Sequence, residues 1–483
     1  MRFPACGFAL VAGFAYAFAS AAAAADWPVF GHDPARSGVD AGDTVLTINN
    51  VHRLHERWQI AFGSGAVADS TPILLDRVPY RSTHRRMLFQ TAKNGTTYGI
   101  DALSGRILWR FATHGPKITT STPAADPSGT AIYVPGVDGF VHKLDAATGH
   151  ELRAPGFPAR ITRMVQTEKN ASPLNVANGY LYATTSGYLG DAPPYDGHVV
   201  GVRLSDGKRR VFNSLCSNYR KLPTPTSCSY SDSGIWSRGG AVVDPDPAMN
   251  GSVYASTGNG NFDANQGGYN YGDSVLSLTG DQLDLQSYYT PPDYQKLDQQ
   301  DLDLGSTSPA LLPRQSQSRT PLMLVQGGKD QILRLLNRAP LPGVGGELQE
   351  VTLQWPLFST PAIWIDPSNR VWLFVGFPQA VDAYRLKTQG GVSRLTGIWR
   401  STAGQTFGEG TSPVVSNGIV FVAFDGAIVA LDALHGNELW NSSMTGAGKT
   451  IGPVHWESPI VADGWVYCSD ENGKLTAYAL PNR

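Results

Sequence analysis

The sequence predicts an all-β fold: an eight-bladed β-propeller of four-stranded antiparallel blades, its ring closed by an N-terminal strand pairing with the C-terminal blade. Three observations predict it. A short Ser/Thr-Pro element recurs along the 483 residues, each recurrence is followed by apolar runs that alternate with period two, and one strand is surplus near the start where one is missing at the end.

The element reads Ser70-Thr71-Pro72, Ser121-Thr122-Pro123, Ala171-Ser172-Pro173, Thr307-Ser308-Pro309, Ser359-Thr360-Pro361, Thr411-Ser412-Pro413 and Glu457-Ser458-Pro459. A degenerate eighth copy is Arg238-Gly239-Gly240-Ala241, and with Ala241 standing for proline the spacings are 51, 50, 68, 68, 52, 52 and 46 residues. Within the units, runs such as Ala131-Ile132-Tyr133-Val134 and Ile419-Val420-Phe421-Val422 alternate as strands do. The third run ends in an Asp-Ala-x-x-Gly turn, as at Asp101, Asp145 and Asp432, and a fourth follows, often with tryptophan, as at Trp109 and Trp440. Four strands in roughly 50 residues make a propeller blade rather than a helical solenoid turn. The last unit stops at Leu475–Leu480 without its fourth strand, and Glu56–Phe62 supplies one that has no blade of its own. Pairing the two satisfies backbone groups on exposed edges.

Composition agrees: 41% hydrophobic, 16% charged, 53 Gly and 33 Pro suit short strands and tight turns. A formal net charge of −2 without a Lys/Arg cluster argues against nucleic acid or an acidic membrane as main partner and for a small molecule or a protein. Residues 1–25 carry Arg2, an apolar run from Phe8 to Phe18 and Ala23-Ala24-Ala25, the pattern of a cleaved secretory signal. Its apolar part is shorter than the roughly 20 residues that span a bilayer. A periplasmic or secreted protein is expected, one propeller domain over 26–483 with long insertions within 173–309. In an oxidising compartment Cys216 and Cys228 are candidates for a disulfide. No Cys-x-x-Cys-His occurs, so covalent c-type haem is not expected.

The unusual polar content runs from Trp236 to Lys329: Trp236-Ser237-Arg238-Gly239-Gly240, Thr257-Gly258-Asn259-Gly260, Gly272-Asp273-Ser274, Asp301-Leu302-Asp303-Leu304-Gly305-Ser306 and Gly328-Lys329-Asp330. Read as a strand, Asp301 and Asp303 share a face and repel, so a positive partner is expected: a cation held by hard oxygens, Lys329, or solvent. A solvated strand end, a blade-packing tryptophan and surface charges are the plainer readings of the same residues.

In this order, and within eight such repeats, the motifs resemble the pyrroloquinoline quinone (PQQ) dehydrogenase propellers, most of all the polyvinyl-alcohol-dehydrogenase-like and PQQ-repeat proteins. The opening Asp26-Trp27-Pro28-Val29-Phe30-Gly31-His32-Asp33 is similar to their mature N-terminus. The resemblance implies a quinone at the ring axis, stacked on Trp236 and met by Arg238 and Lys329, with a calcium or lanthanide ion on Asn259, Asp301 and Asp303. Asp301 would be the catalytic base. It implies a quinoprotein oxidoreductase acting on a small alcohol or polyol and passing electrons to a separate acceptor protein. The chain departs from the pattern at Thr184–Asp191, which lacks the metal-binding Glu, Asp191 and Asp196 being out of register, and at Lys117–Thr120, where a cysteine pair is absent. A non-catalytic propeller binding a protein or an envelope component is the rival, and a carbohydrate-binding propeller a third reading.

Overall fold

The computed structural model describes residues 26–63, 66–402, 404 and 408–481; the leader expected over 1–25 lies outside them. Eight small sheets follow one another along the chain. Their first strands begin at Ile73, Ala124, Asn175, Val242, Ala310, Ala362, Val414 and Ile460, and define blades 1 to 8. Among the described residues, helix is confined to Tyr294–Gln299 and a few single turns. No helix among the described residues is long and apolar enough to cross a membrane.

The ring closes as the repeat count requires. Strand His55–Ala61 pairs antiparallel with the last strand, Lys474–Ala479, and becomes the outer strand of blade 8. Its Trp58 then docks on blade 1, the indole donating to Ala102 O at 3.2 Å. Trp109 donates likewise to Ala146 O of blade 2, Trp399 to Ala433 O of blade 7, and Trp440 to Leu54 O beside blade 8. The Asp-Ala-x-x-Gly turn of one blade is therefore the seat for the tryptophan of the blade before it. Gly105 shows why glycine is needed there: its φ is +72°, and a Cβ would stand 2.8 Å from the Trp58 ring.

The Ser/Thr-Pro elements meet around the axis as a hydrogen-bonded belt. Thr71 N donates to Thr122 Oγ1 (3.0 Å), Ser121 Oγ to Ser172 O (2.6 Å), Thr360 N to Ser412 Oγ (2.9 Å) and Ser412 N to Ser458 Oγ (3.0 Å). Ser458 N then donates to Thr71 Oγ1 at 3.0 Å, joining blade 8 back to blade 1. The hydroxyls recur because each first strand presents edge groups to its neighbour rather than to water. Between consecutive blades lies the apolar core: Ile73, Phe89, Ile132 and Leu144 fill the space between blades 1 and 2, and Trp372, Phe374, Val420 and Val429 that between blades 6 and 7.

Residues 27–38 run through the middle of the ring, which the repeat pattern alone does not foretell. Trp27 pairs with Leu74 of blade 1, and the carbonyls of Pro28, Pro34, Ser37 and Gly38 accept from Ala125, Val243, Ile363 and Val415, on blades 2, 4, 6 and 7. The buried Arg36 donates to the carbonyls of Phe30, Gly239, Pro173 and Leu174. This plug blocks the axis on one side of the belt. The connections that enter the blades line the other side.

Candidate functional site

Trp236 precedes the first strand of blade 4 and Trp456 that of blade 8, on opposite sides of an eight-membered ring. Their ring centroids are 5.8 Å apart. Only side chains that reach the axis make such a contact. Phe358, ahead of blade 6, stands 6.2 Å from Trp236, and Arg238 lies with its guanidinium carbon 4.6 Å from the Trp456 ring centre. All three aromatics are half-buried and form an apolar lining.

On the side of blades 4 and 5, Asn259 donates from its side chain to Asp301 Oδ1 (3.0 Å) and from its backbone to Asp303 Oδ1 (2.7 Å). Lys329 binds Asp301 at 2.9 Å and also Asp303, and its ammonium lies 5.4 Å from the Trp236 ring centre. Trp236, Arg238, Asn259, Asp301, Asp303 and Lys329 thus come together at the axis. The strand expected over 301–303 is absent. Asp301 follows the helix Tyr294–Gln299 with φ +55°, and Asp303 opens the turn Leu304–Ser306. The two carboxylates converge through this turn, and Lys329 is the positive partner their repulsion requires. Burial would lower the Lys329 ammonium pKa, but Asp303 and Asp301 outweigh it and raise it above the ordinary value. Asp303 is itself raised, by burial.

The wall made by blades 7, 8 and 1 escaped the motif reading. Asp69, 2% exposed, accepts from His455 Nδ1 at 3.2 Å and from Lys93 at 2.9 Å. Lys93 also binds Glu471 at 3.1 Å, and Glu409 lies 3.5 Å from Arg238 and 3.8 Å from His455 Nε2. A regular signal marks these residues: Asp69, Arg238, Phe358 and Trp456 each stand three positions ahead of the repeat proline or Ala241. Lys93, Lys329 and Glu471 likewise share the turn that follows the second strand of their blades. Lys169, ahead of blade 3, adds an amine whose pKa burial lowers, with Asp69 acting against the fall.

More than half of the chain, residues 20–192 and 391–481, matches the PQQ-repeat family model described as outer membrane protein assembly factor BamB. The chain belongs to this PQQ-repeat family. No curated protein sequence matches it. Among solved structures it is similar to quinohemoprotein alcohol dehydrogenase ADHIIG from Pseudomonas putida HK5, at TM-score 0.67 and 14% identity over 95% of this chain and 81% of that one. It is similar too to a europium-containing methanol dehydrogenase (TM-score 0.63, 14% identity, 94% and 98% covered). BamB from Moraxella catarrhalis matches at TM-score 0.52 and 12% identity, with 88% and 99% covered. At these identities the likenesses establish the propeller and leave chemistry to the residues.

Against that family, Arg238 is the telling side chain of this PQQ-repeat propeller. It is 1% exposed, and none of its three side-chain nitrogens makes a hydrogen bond among the described residues. Arg36 and Arg338, equally buried, are by contrast bonded through all three of theirs. Burial pulls the Arg238 pKa down, with Glu409 opposing. An unsatisfied buried guanidinium beside half-buried indoles fits a planar anion such as a quinone carboxylate. The residues do not form a cage for a hard cation. Asn259 Oδ1 is buried without a partner, as a ligand oxygen would be. Yet the Lys329 ammonium already stands where a cation would, binding both Asp301 and Asp303. Of the two out-of-register acids, Asp191 accepts from Tyr195, while Asp196 is buried in blade 3 against Ser214. The group Asp69, His455 and Glu471 is no cage either, because Lys93 bridges its two carboxylates.

Cys216 and Cys228 are joined by a disulfide. It closes a loop in the long connection between blades 3 and 4, immediately before Trp236.

Proposed function

We propose that this protein is a periplasmic or secreted quinoprotein oxidoreductase that binds PQQ at the ring axis and oxidises a small alcohol or polyol. The observation that carries the reading is Arg238, a guanidinium withdrawn from water that makes no hydrogen bond among the described residues and has its ion-pair partner Glu409 only at 3.5 Å, so that a carboxylate delivered within hydrogen-bonding distance is favoured. When bound, such a quinone accepts a hydride equivalent from an alcohol carbon. The chain's own part is to hold and orient. Arg238 clamps a ring carboxylate, Trp236 and Trp456 offer flat apolar faces, and Lys169 and Lys329 offer N–H donors around the rim. The segment 27–38 closes the far side, so ligands enter from the face that carries the blade connections.

The base inherited from the resemblance, Asp301, is 78% exposed in its side chain, and its Oδ1 accepts from both Asn259 and Lys329. To take a proton there it gives up part of that stabilisation. Electrons leave through a separate acceptor protein, since the sequence has no c-type haem motif.

The test is reconstitution of purified protein with PQQ, with and without calcium or a lanthanide, followed by alcohol-dependent dye reduction. Turnover above the cofactor-free control is expected. Absence of both tight quinone binding and turnover overturns the enzyme reading in favour of the non-catalytic scaffold. That alternative has one feature of its own: Leu189, Tyr230 and Tyr269 are exposed on connections of blades 3 and 4, an apolar set available to a protein partner.

A further inference from the structure

We propose that His455, held by Asp69, is the proton acceptor of the axial site, a catalytic residue on the wall facing Asp301; the proposal rests on the alcohol-oxidising reading above. The geometry is that of an oriented imidazole. Nδ1 lies 3.2 Å from Asp69 Oδ1, while the other Asp69 oxygen is bound by Lys93 at 2.9 Å, so the carboxylate cannot turn away. Lys93 is fixed in turn by Glu471 at 3.1 Å. The His455 backbone N–H donates at 2.7 Å to the buried Glu457, which sets the approach of the ring. Among the described residues the hydrogen bonds that position the imidazole fall on Nδ1 and the backbone.

Among the described residues Nε2 makes no hydrogen bond. Its nearest charged neighbour is Glu409 at 3.8 Å, and the side chain is 34% exposed. Trp456, 5.5 Å from the imidazole, is the ring against which Arg238 lies, and the same Glu409 oxygen stands 3.8 Å from Nε2 and 3.5 Å from Arg238, so Nε2 is on the Arg238 side of the ring. A buried carboxylate on Nδ1 fixes the tautomer with its proton there and leaves the lone pair on Nε2, the arrangement a general base needs. Asp301 has neither property, being mostly in water and paired with an ammonium.

In the reaction, the alcohol O–H bond breaks and its proton passes to His455 Nε2. The C–H bond breaks as its hydrogen leaves with the electron pair to the quinone, the oxidant, while the O–H pair becomes the second bond of the new carbonyl. The charged groups facing His455 are Asp69, Glu409 and Glu457, with Lys93, Glu471 and Arg238 one contact further. Those carboxylates take up the charge of the imidazolium that forms.

The test uses the full chain in two measurements. In quinone-free protein with 15N-labelled histidine, the His455 signals, assigned by their loss in His455→Gln, are expected to show a protonated Nδ1 and a bare Nε2 at neutral pH. Asp69→Asn is expected to disturb that tautomer. In PQQ-loaded enzyme, His455→Gln is expected to lower kcat roughly a hundredfold to ten-thousandfold at unchanged quinone affinity. A proton on Nε2, or a His455→Gln enzyme with the wild-type rate while Asp301→Asn is inactive, overturns the proposal alone. Wild-type protein that neither binds PQQ nor turns over overturns it together with the reading beneath it.

Discussion

The Arg238 guanidinium lies 4.6 Å from the ring centre of Trp456, although the two residues enter the ring ahead of blades 4 and 8, on opposite sides. That contact holds a full positive charge against an aromatic face at the axis, where cation–π attraction compensates only part of the lost hydration. Arg238→Leu is expected to leave the fold intact, because among the described residues what is lost with it is no hydrogen bond but a 3.5 Å ion pair to the partly exposed Glu409. Thermal melting should show a midpoint equal to or above that of the unaltered protein. A large fall would make Arg238 a structural residue.

Ring closure should be the most sensitive structural feature. Trp58 is buried, closes the seam between blades 8 and 1, and donates to Ala102. Trp58→Ala is expected to destabilise by about 3–5 kcal/mol, read by denaturant unfolding, and to expose strand His55–Ala61 to hydrogen exchange before the other blades. A loss under about 1 kcal/mol would show that the belt alone holds the ring.

Acid sensitivity has an identifiable source in blade 2. Burial acts to raise the Asp126 carboxyl, but hydrogen bonds from Lys143 and Tyr133, at 2.7 and 2.6 Å, outweigh it and hold the pKa at about 2 against an ordinary 3.8. The folded value lies below the unfolded one, so the stabilisation is fully present above pH about 4 and is lost as pH falls toward 2. Asp126→Asn should therefore unfold at lower denaturant than the unaltered protein at pH 7, with the gap narrowing at pH 2.5. An equal gap at both pH values would exclude this linkage.

The disulfide Cys216–Cys228 spans 12 residues of a connection that leads to Trp236. Chain entropy gives such a loop about 3 kcal/mol, and most of it should appear locally. Limited proteolysis of the Cys216→Ser, Cys228→Ser double variant is expected to cut within 214–235 while the blades stay resistant. Global unfolding instead would show that this connection holds the ring.

Much of the ring was legible in the sequence, because each blade needs the same hydroxyl belt and the same tryptophan seat, and those demands recur at regular spacing. Ser458 and Thr71 illustrate it: both belong to the repeated element, and they join the ends of the ring. The cluster of Asn259, Asp301, Asp303 and Lys329 was legible as a set of motifs, though not its geometry. A turn rather than a strand brings the carboxylates together, since the left-handed backbone at Asp301 is invisible to periodicity. Half the axial cluster was missed because Asp69, Lys93 and His455 are marked only by their places in the repeat and form no contiguous motif; they become a group only when blades 1 and 8 are folded against one another. The plug was missed for a related reason. Its hydrogen bonds run from backbone carbonyls, which every sequence possesses.

The central claim is that the axis holds a planar anion against Arg238 and Trp236. Titration of the purified protein with PQQ, followed by quenching of tryptophan fluorescence, tests it most directly. The account predicts saturable quenching with one quinone per chain, weakened by at least about tenfold in Arg238→Leu, the effect of losing one charge-assisted hydrogen-bonding partner. Absence of quenching, or equal affinity in the variant, would contradict it.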